Sequence, residues 1–242
     1  MAAPATLVQS GSANAATAGP ALPGSLTTAT GNLLILVIAV VGSSTPTIGT
    51  PAGWTLIETR TFGTTFTVAT FAFANNPGGA TNPSSTLGGT VTGWIAEMFE
   101  FSGVGIVSKI GSASLIYSQT AIPNAFVQGS ANQGNNPVLP QANALLFYTM
   151  ARLTATYTTS NSGLWSATVQ QQVGIQTMSV DFFWAVASGF PFTGGTLSSA
   201  VNAIQQLAWF PTLNSSPVVG VDVSGVNGIT PIGQFYGGLI GG

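Results

Sequence analysis

The run LLILVIAVV, residues 33–41, sets nine apolar residues in succession between Gly31-Asn32 and Gly42. Few structures accommodate it. A bilayer-spanning helix needs about 20 predominantly apolar residues, and the polar flanks TTATGN and GSSTPT do not extend this one. A secretory signal would set cationic residues ahead of an apolar stretch, yet the first 32 residues carry no charge. The Ile and Val content and the turn-forming borders predict a β-strand covered on both faces, with a short core helix as the alternative.

The rest of the chain reads as further strands. WTLIETRT (54–61), FTVATFAFA (66–74), VTGWIAEMFEF (91–101), ALLFYTMA (144–151), WSATVQQQV (165–173) and MSVDFFWAV (178–186) are rich in β-branched and aromatic residues. SSTPTIGTPAG, NNPGGATNPSS and SGFPFTGG between them are turn material. No segment sustains a helical i, i+3, i+4 pattern. Alternation is clearest in 178–186, where Met178, Val180, Phe182, Trp184 and Val186 share one face and Ser179 and Asp181 the other.

The order of these blocks recurs. ATGNLLILVIAV corresponds to PQANALLFYTMA, PAGWTLIETRT to SGLWSATVQQQ, FTVATFAFA to MSVDFFWAV, and WIAEMFEF to AIQQLAWF. The offsets hardly drift: Asn32 to Asn143 and Trp54 to Trp165 are each 111 residues, Val68 to Val180 is 112, and Phe101 to Phe210 is 109. Such order predicts a duplicated unit of four or more strands. The halves either fold as separate small sandwiches or pair into one, and the doubly apolar runs favour pairing. The expected fold is therefore all-β: an antiparallel, jelly-roll-like sandwich of two pseudo-symmetric repeats. Repeat one covers about 26–105 and repeat two about 137–212, within a duplicated sandwich of 26–216. Residues 1–25 and the Gly-rich 217–242 read as terminal arms.

GNLLILVIAV (31–40), TPAGWTLI (50–57) and WIAEMFEFSGV (94–104) together resemble a β-sandwich module that recurs in bacteriophage structural proteins. Those modules show a Gly-Asp/Asn-Leu-Leu strand opening, a Pro-x-Gly-Trp-Thr turn and an aromatic-Ser-Gly-Val strand ending. The resemblance covers roughly residues 25–105, with the second half following it loosely. It implies a virion component of the head-decoration, tail or fibre kind.

Charge points the same way. Charged residues make up 3% of the chain, against about 25% in ordinary soluble domains. A globule of this size exposes about 10,000 Å², so even with every charge outside there is one per roughly 1,250 Å². Such a surface favours association, unless Ser, Thr, Asn and Gln alone solvate a secreted protein. Only Arg60, Lys109 and Arg152 are cationic. Nucleic acid and a polybasic membrane patch are thereby excluded as partners.

Catalysis has little to draw on. There is no His and no Cys, which leaves carboxylates. Glu97 and Glu100, three apart on one strand, face opposite sides, while Glu58, Asp181 and Asp222 fall in separate segments; these carboxylates read as solvated or paired with a cation. Asp222 and Asn227 in GVDVSGVNG are too sparse for a calcium loop. Catalytic, cofactor-binding and metal-binding residues are thus all expected to be absent. Trp54, Trp94, Trp165, Trp184 and Trp209 would suit either core packing or a sugar-stacking platform. The functional expectation is a non-enzymatic virion structural protein, a capsid decoration or cementing subunit or a tail or fibre component, with itself and other virion proteins as partners. The alternative is a secreted or cell-surface carbohydrate-binding or adhesion module.

Overall fold

The computed structural model describes residues 5–74, 76–104, 111–117, 121–122, 144–153, 157–159, 169–173, 178–187 and 195–212. Among them, regular structure is all strand. The first half contributes β1 (Thr6–Ala15), β2 (Leu26–Thr28), β3 (Leu33–Ile48), β4 (Thr55–Phe62), β5 (Phe66–Phe73), β6 (Gly79–Thr81) and β7 (Leu87–Ser102). The second contributes β8 (Gly111–Tyr117), β9 (Ala121–Ile122), β10 (Ala144–Leu153), β11 (Tyr157–Thr159), β12 (Val169–Val173), β13 (Met178–Ala187), β14 (Gly195–Leu197) and β15 (Ala203–Phe210). The apolar run 33–41 lies in β3, the middle strand of its sheet, where both faces are covered.

Two antiparallel five-stranded sheets form, ordered β1-β7-β3-β5-β4 and β12-β13-β10-β15-β8, with β2 paired to β6 and β14 between β11 and β9. Each large sheet is built from its own half of the chain. Exchanging β1, β7, β3, β5, β4 for β8, β15, β10, β13, β12 turns one order into the other. The strand order does not carry the jelly-roll likeness, because neither sheet interleaves strands from both halves.

The sheets pack face to face as one sandwich. Odd-numbered residues of β3 (Leu33 to Val41) and Phe66, Val68, Ile95, Phe99 and Phe101 meet Leu145, Phe147, Met178, Val180, Phe182, Ile204 and Phe210 in one core. Phe99 lies at its centre, edge-on to Phe147 at 5.0 Å and Phe182 at 4.9 Å, separations favoured by the aromatic quadrupole. At the two flanks β4 lies against β8 and β15, and β12 against β1 and β7. These contacts also interchange when the halves are exchanged.

Inward-facing residues of β3 and β10 lie 112 residues apart, Leu33 with Leu145 and Ile35 with Phe147; Asn143, of the expected Asn32-to-Asn143 match, lies outside the described residues. An offset of 111 would set inward Leu145 against outward Leu34 and invert every side chain of the strand. The offsets 112 for β5 and 109 for β7 match inward with inward, Val68 with Val180 and Phe101 with Phe210.

Within the stretch 1–25 expected as an arm, Thr6–Ala15 is a strand paired along β7 from Ser102 to Trp94. TLVQSGSANA escapes an apolar-run search because an edge strand needs little apolar surface. The arm expected over 217–242, and the turn before Trp165, lie outside the described residues.

Outside the first sheet, Leu34, Leu36, Ile38, Val40, Ala69, Phe71, Trp94 and Met98 form a second buried layer with Ala21 and Trp54. Segment 16–28 and the turn closed by Trp54 N–H donating to the Pro51 carbonyl at 3.1 Å supply part of its cover. The even-numbered half of the 33–41 run is thus as dry as the odd-numbered half.

Candidate functional site

The carboxylates, the tryptophans and the surface itself are where a site could lie. Glu97 and Glu100 occupy β7 and point to opposite faces, as strand geometry requires: Glu97 faces Val37 across β3 in the sandwich interior, and Glu100 faces outward with Met98. Both are nonetheless buried.

Glu100 has a local explanation. Its Oε1 accepts the backbone N–H of Ala29 and the Asn32 side-chain amide, both at 2.7 Å, and its Oε2 accepts the Gln9 amide. Charge-assisted bonds of this kind offset carboxylate burial without a cation. Gln9 also donates to the Thr27 carbonyl, so one carboxylate ties β1, the turn ahead of β3, and β7. Beside it Asn76 is fully buried, donates to the Ala29 carbonyl at 2.9 Å, and accepts Gly78 N–H at 2.9 Å. Gly31 N–H reaches the Asn76 carbonyl at 2.7 Å with φ of +83°, a conformation that glycine adopts freely. Gly31-Asn32 is therefore a folding joint, and its polar atoms are consumed by structure.

The inner carboxylate belongs to a polar row through the sandwich. In the first sheet Ser12, Glu97, Val37, Thr70 and Glu58 stand in register across β1, β7, β3, β5 and β4. In the second, Ser114, Gln206, Thr149, Phe182 and Val169 form the corresponding row. Thr70 Oγ1 donates to Gln206 Oε1 at 2.7 Å, and Gln206 Nε2 donates to the Val68 carbonyl at 3.0 Å. Two interior polar positions are thus bonded from sheet to sheet.

Asp181 projects from the opposite face of β13 to Phe182 and meets Arg152 of β10 at 2.9 Å, both side chains buried; the pair follows from the Met150-to-Asp181 register. Next to it on that face, Gln205 Nε2 donates to Tyr148 Oη at 2.7 Å. Glu58 lies at the rim, where Ser112 of β8 donates to its Oε2 at 2.9 Å and to the Ile57 carbonyl at 3.1 Å. Among the described residues no three His, Cys, Asp or Glu side chains gather as a metal site, and no helix is long and apolar enough to cross a membrane. Asp222, Asn227 and Lys109 lie outside them.

The tryptophans pack. Trp54, Trp94 and Trp209 are buried, and Trp54 rests on Phe73 with ring centroids 5.6 Å apart. Trp184 is half-buried against Phe99 and Phe101, at 6.2 and 6.1 Å. No described tryptophan is exposed as a sugar platform; Trp165 lies outside the described residues.

Burial of charge leaves a nearly neutral exterior. Of six charged side chains among the described residues, Glu97, Glu100, Arg152 and Asp181 are buried, Glu58 is half-buried and Arg60 alone is exposed. Composition alone did not place them inside, because their partners come from far along the chain. No family model matches the chain, and no match was found among the curated proteins or the solved structures.

Proposed function

We propose that the protein is a non-enzymatic structural subunit of a virus particle, a head-decoration or cementing protein or a tail or fibre component, built as a duplicated β-sandwich unit. One observation carries the reading: four of the six charged side chains among the described residues are buried, and a chain with only eight charges in all has few interspersed Lys, Arg, Asp and Glu to keep it dispersed. A surface of that kind associates through buried area and hydrogen bonds, with little electrostatic steering. The three motifs of the first half, GNLLILVIAV, TPAGWTLI and WIAEMFEFSGV, support the phage assignment as a resemblance. The carboxylates support the non-enzymatic part, since Glu100 and Asp181 are bound up with structural partners.

The test is electron microscopy of particles from the native source, with an antibody to this chain. Label on a shell, tail or fibre is the expected result. Label absent from particles, together with glycan binding by the purified monomer, overturns it.

A further inference from the structure

The two flanks of the sandwich differ in kind. On one, the edge strand β4 carries Glu58 and Arg60 and is tied to the other sheet by both Ser112 hydrogen bonds. Edge charges and cover are the usual protections against pairing with another chain. On the other flank lie β1 and β12, against each other. Neither TLVQSGSANA nor VQQQV contains a charge or a proline. Among the described residues, β1 has a strand neighbour on one side only, β7.

Its one irregularity is at Val8, where register shifts between Leu7 and Gln9; from Gln9 to Ala15 the pairing with β7 is unbroken. A strand of seven residues is roughly 23 Å long, and its outer row of backbone N–H and C=O groups has no strand partner among the described residues. The side chains along it are small: Ser10, Ser12 and Asn14 are exposed, and Gly11 and Ala13 are half-buried, with Leu26 packed over Gly11.

We propose that this flank is a homotypic interface, in which two copies of the chain join edge to edge, β1 to β1, along Gln9–Ala15. The occupant is a second copy for three reasons. A twofold axis perpendicular to the strand sets it antiparallel to its copy, the arrangement an antiparallel ladder needs. No charge on either flank opposes a like charge on the other. The same rotation, about an axis normal to the sheets, brings β12 up to β12, so that both layers run on into the partner. Centred on Ser12, the pairing sets Ser10 against Asn14 of the partner subunit, Gly11 against Ala13, and Gln9, whose side chain is held by Glu100 and Thr27, against Ala15. The inference rests on the reading of the chain as an associating subunit and adds where it associates.

Ser10→Lys/Asn14→Lys changes only exposed positions and puts two like-charge pairs across the twofold axis. Analytical ultracentrifugation of the full chain is expected to show reversible self-association that this variant weakens by about tenfold or more. Ser10→Glu/Asn14→Glu should weaken it similarly, and an equimolar mixture of the Lys and Glu variants should restore it. Thr59→Lys, an exposed position on β4, should leave it unchanged. Association that persists in both charge variants, or a mixture that does not recover, overturns the β1 interface and leaves the structural-subunit reading standing. A wild-type chain monomeric at all concentrations, as when the edge is filled by the chain's own residues 213–242, also overturns it; the subunit reading is decided separately by label on the particle.

Discussion

Single residues in this protein carry unusual weight because most charged groups among the described residues are buried. Glu100 is the clearest, accepting Gln9, Ala29 and Asn32 from segments 91, 71 and 68 residues away. Glu100→Ala removes three charge-assisted bonds whose donors sit on half-buried or exposed residues, where water replaces part of what is lost; a bond to a charged group contributes about 1.5–3 kcal/mol. We expect a loss of about 1.5–3 kcal/mol in urea unfolding, seen as a lower midpoint at unchanged slope. Glu100→Gln should cost less but still register, since its amide nitrogen meets donors where the carboxylate accepted. Gly42 closes the apolar run for a different reason. A Cβ there would collide with the Thr90 carbonyl oxygen across β7, and backbone does not yield as a side chain does. Gly42→Ala is therefore expected to destabilise by about 1–3 kcal/mol, whereas Gly19→Ala, in open space, should be close to neutral.

At the scale of elements, the polar contacts within and between sheets decide how strands meet. Thr70 and Gln206 join the sheets across the core, so Thr70→Val, Gln206→Leu and the double variant form a cycle; we expect a coupling energy of about 1 kcal/mol or more from the unfolding midpoints. Arg152 and Asp181 bind β10 to β13 on the other face. Removing one partner of a buried pair costs about 3–5 kcal/mol, while replacing both with apolar groups of similar size is often neutral. Arg152→Met should accordingly be severe, and Arg152→Met/Asp181→Leu should recover most of the loss in thermal unfolding. The sequence makes the inner strands readable, and the edge strands β4 and β12 with them. β3, β5, β7, β10 and β13 stand out because a strand covered on two faces has an apolar or aromatic residue at nearly every position. β1 and β8 do not, since TLVQSGSANA and GSASLIY sit at sheet edges and are rich in Ser, Gly and Ala. The destination of the charges was also hidden: Glu97 and Glu100 lie in the same EMFEF string, and nothing local distinguishes a solvated carboxylate from one met by donors about 70 residues distant. Orientation was readable, because a separation of three on a strand fixes opposite faces whatever surrounds them.

For the whole molecule, the consequence of buried charge is an electrostatically quiet particle. With Glu97, Glu100, Arg152 and Asp181 inside, at most four of the eight charged side chains remain for the exterior, and histidine is absent. Stability varies with pH only where folded and unfolded chains bind different numbers of protons, and no side chain here has an ordinary pKa between about 5 and 8. Salt acts mainly on exposed charges within about 10 Å of one another, and the exterior holds few. The folded state and its self-association should thus respond to neither variable strongly. We expect the unfolding free energy from urea titration at pH 6, 7 and 8 to stay within about 0.5 kcal/mol of a common value, and the association constant to change less than about threefold between 0.05 and 0.5 M salt, against the steep salt dependence of charge-steered complexes. A sharp stability transition between pH 6 and 8 would contradict this, and would identify a buried carboxylate that holds a proton in the folded chain and releases it on unfolding. Glu97→Gln, which keeps the shape of the interior side chain and removes its titration, would then abolish the transition if Glu97 is that group.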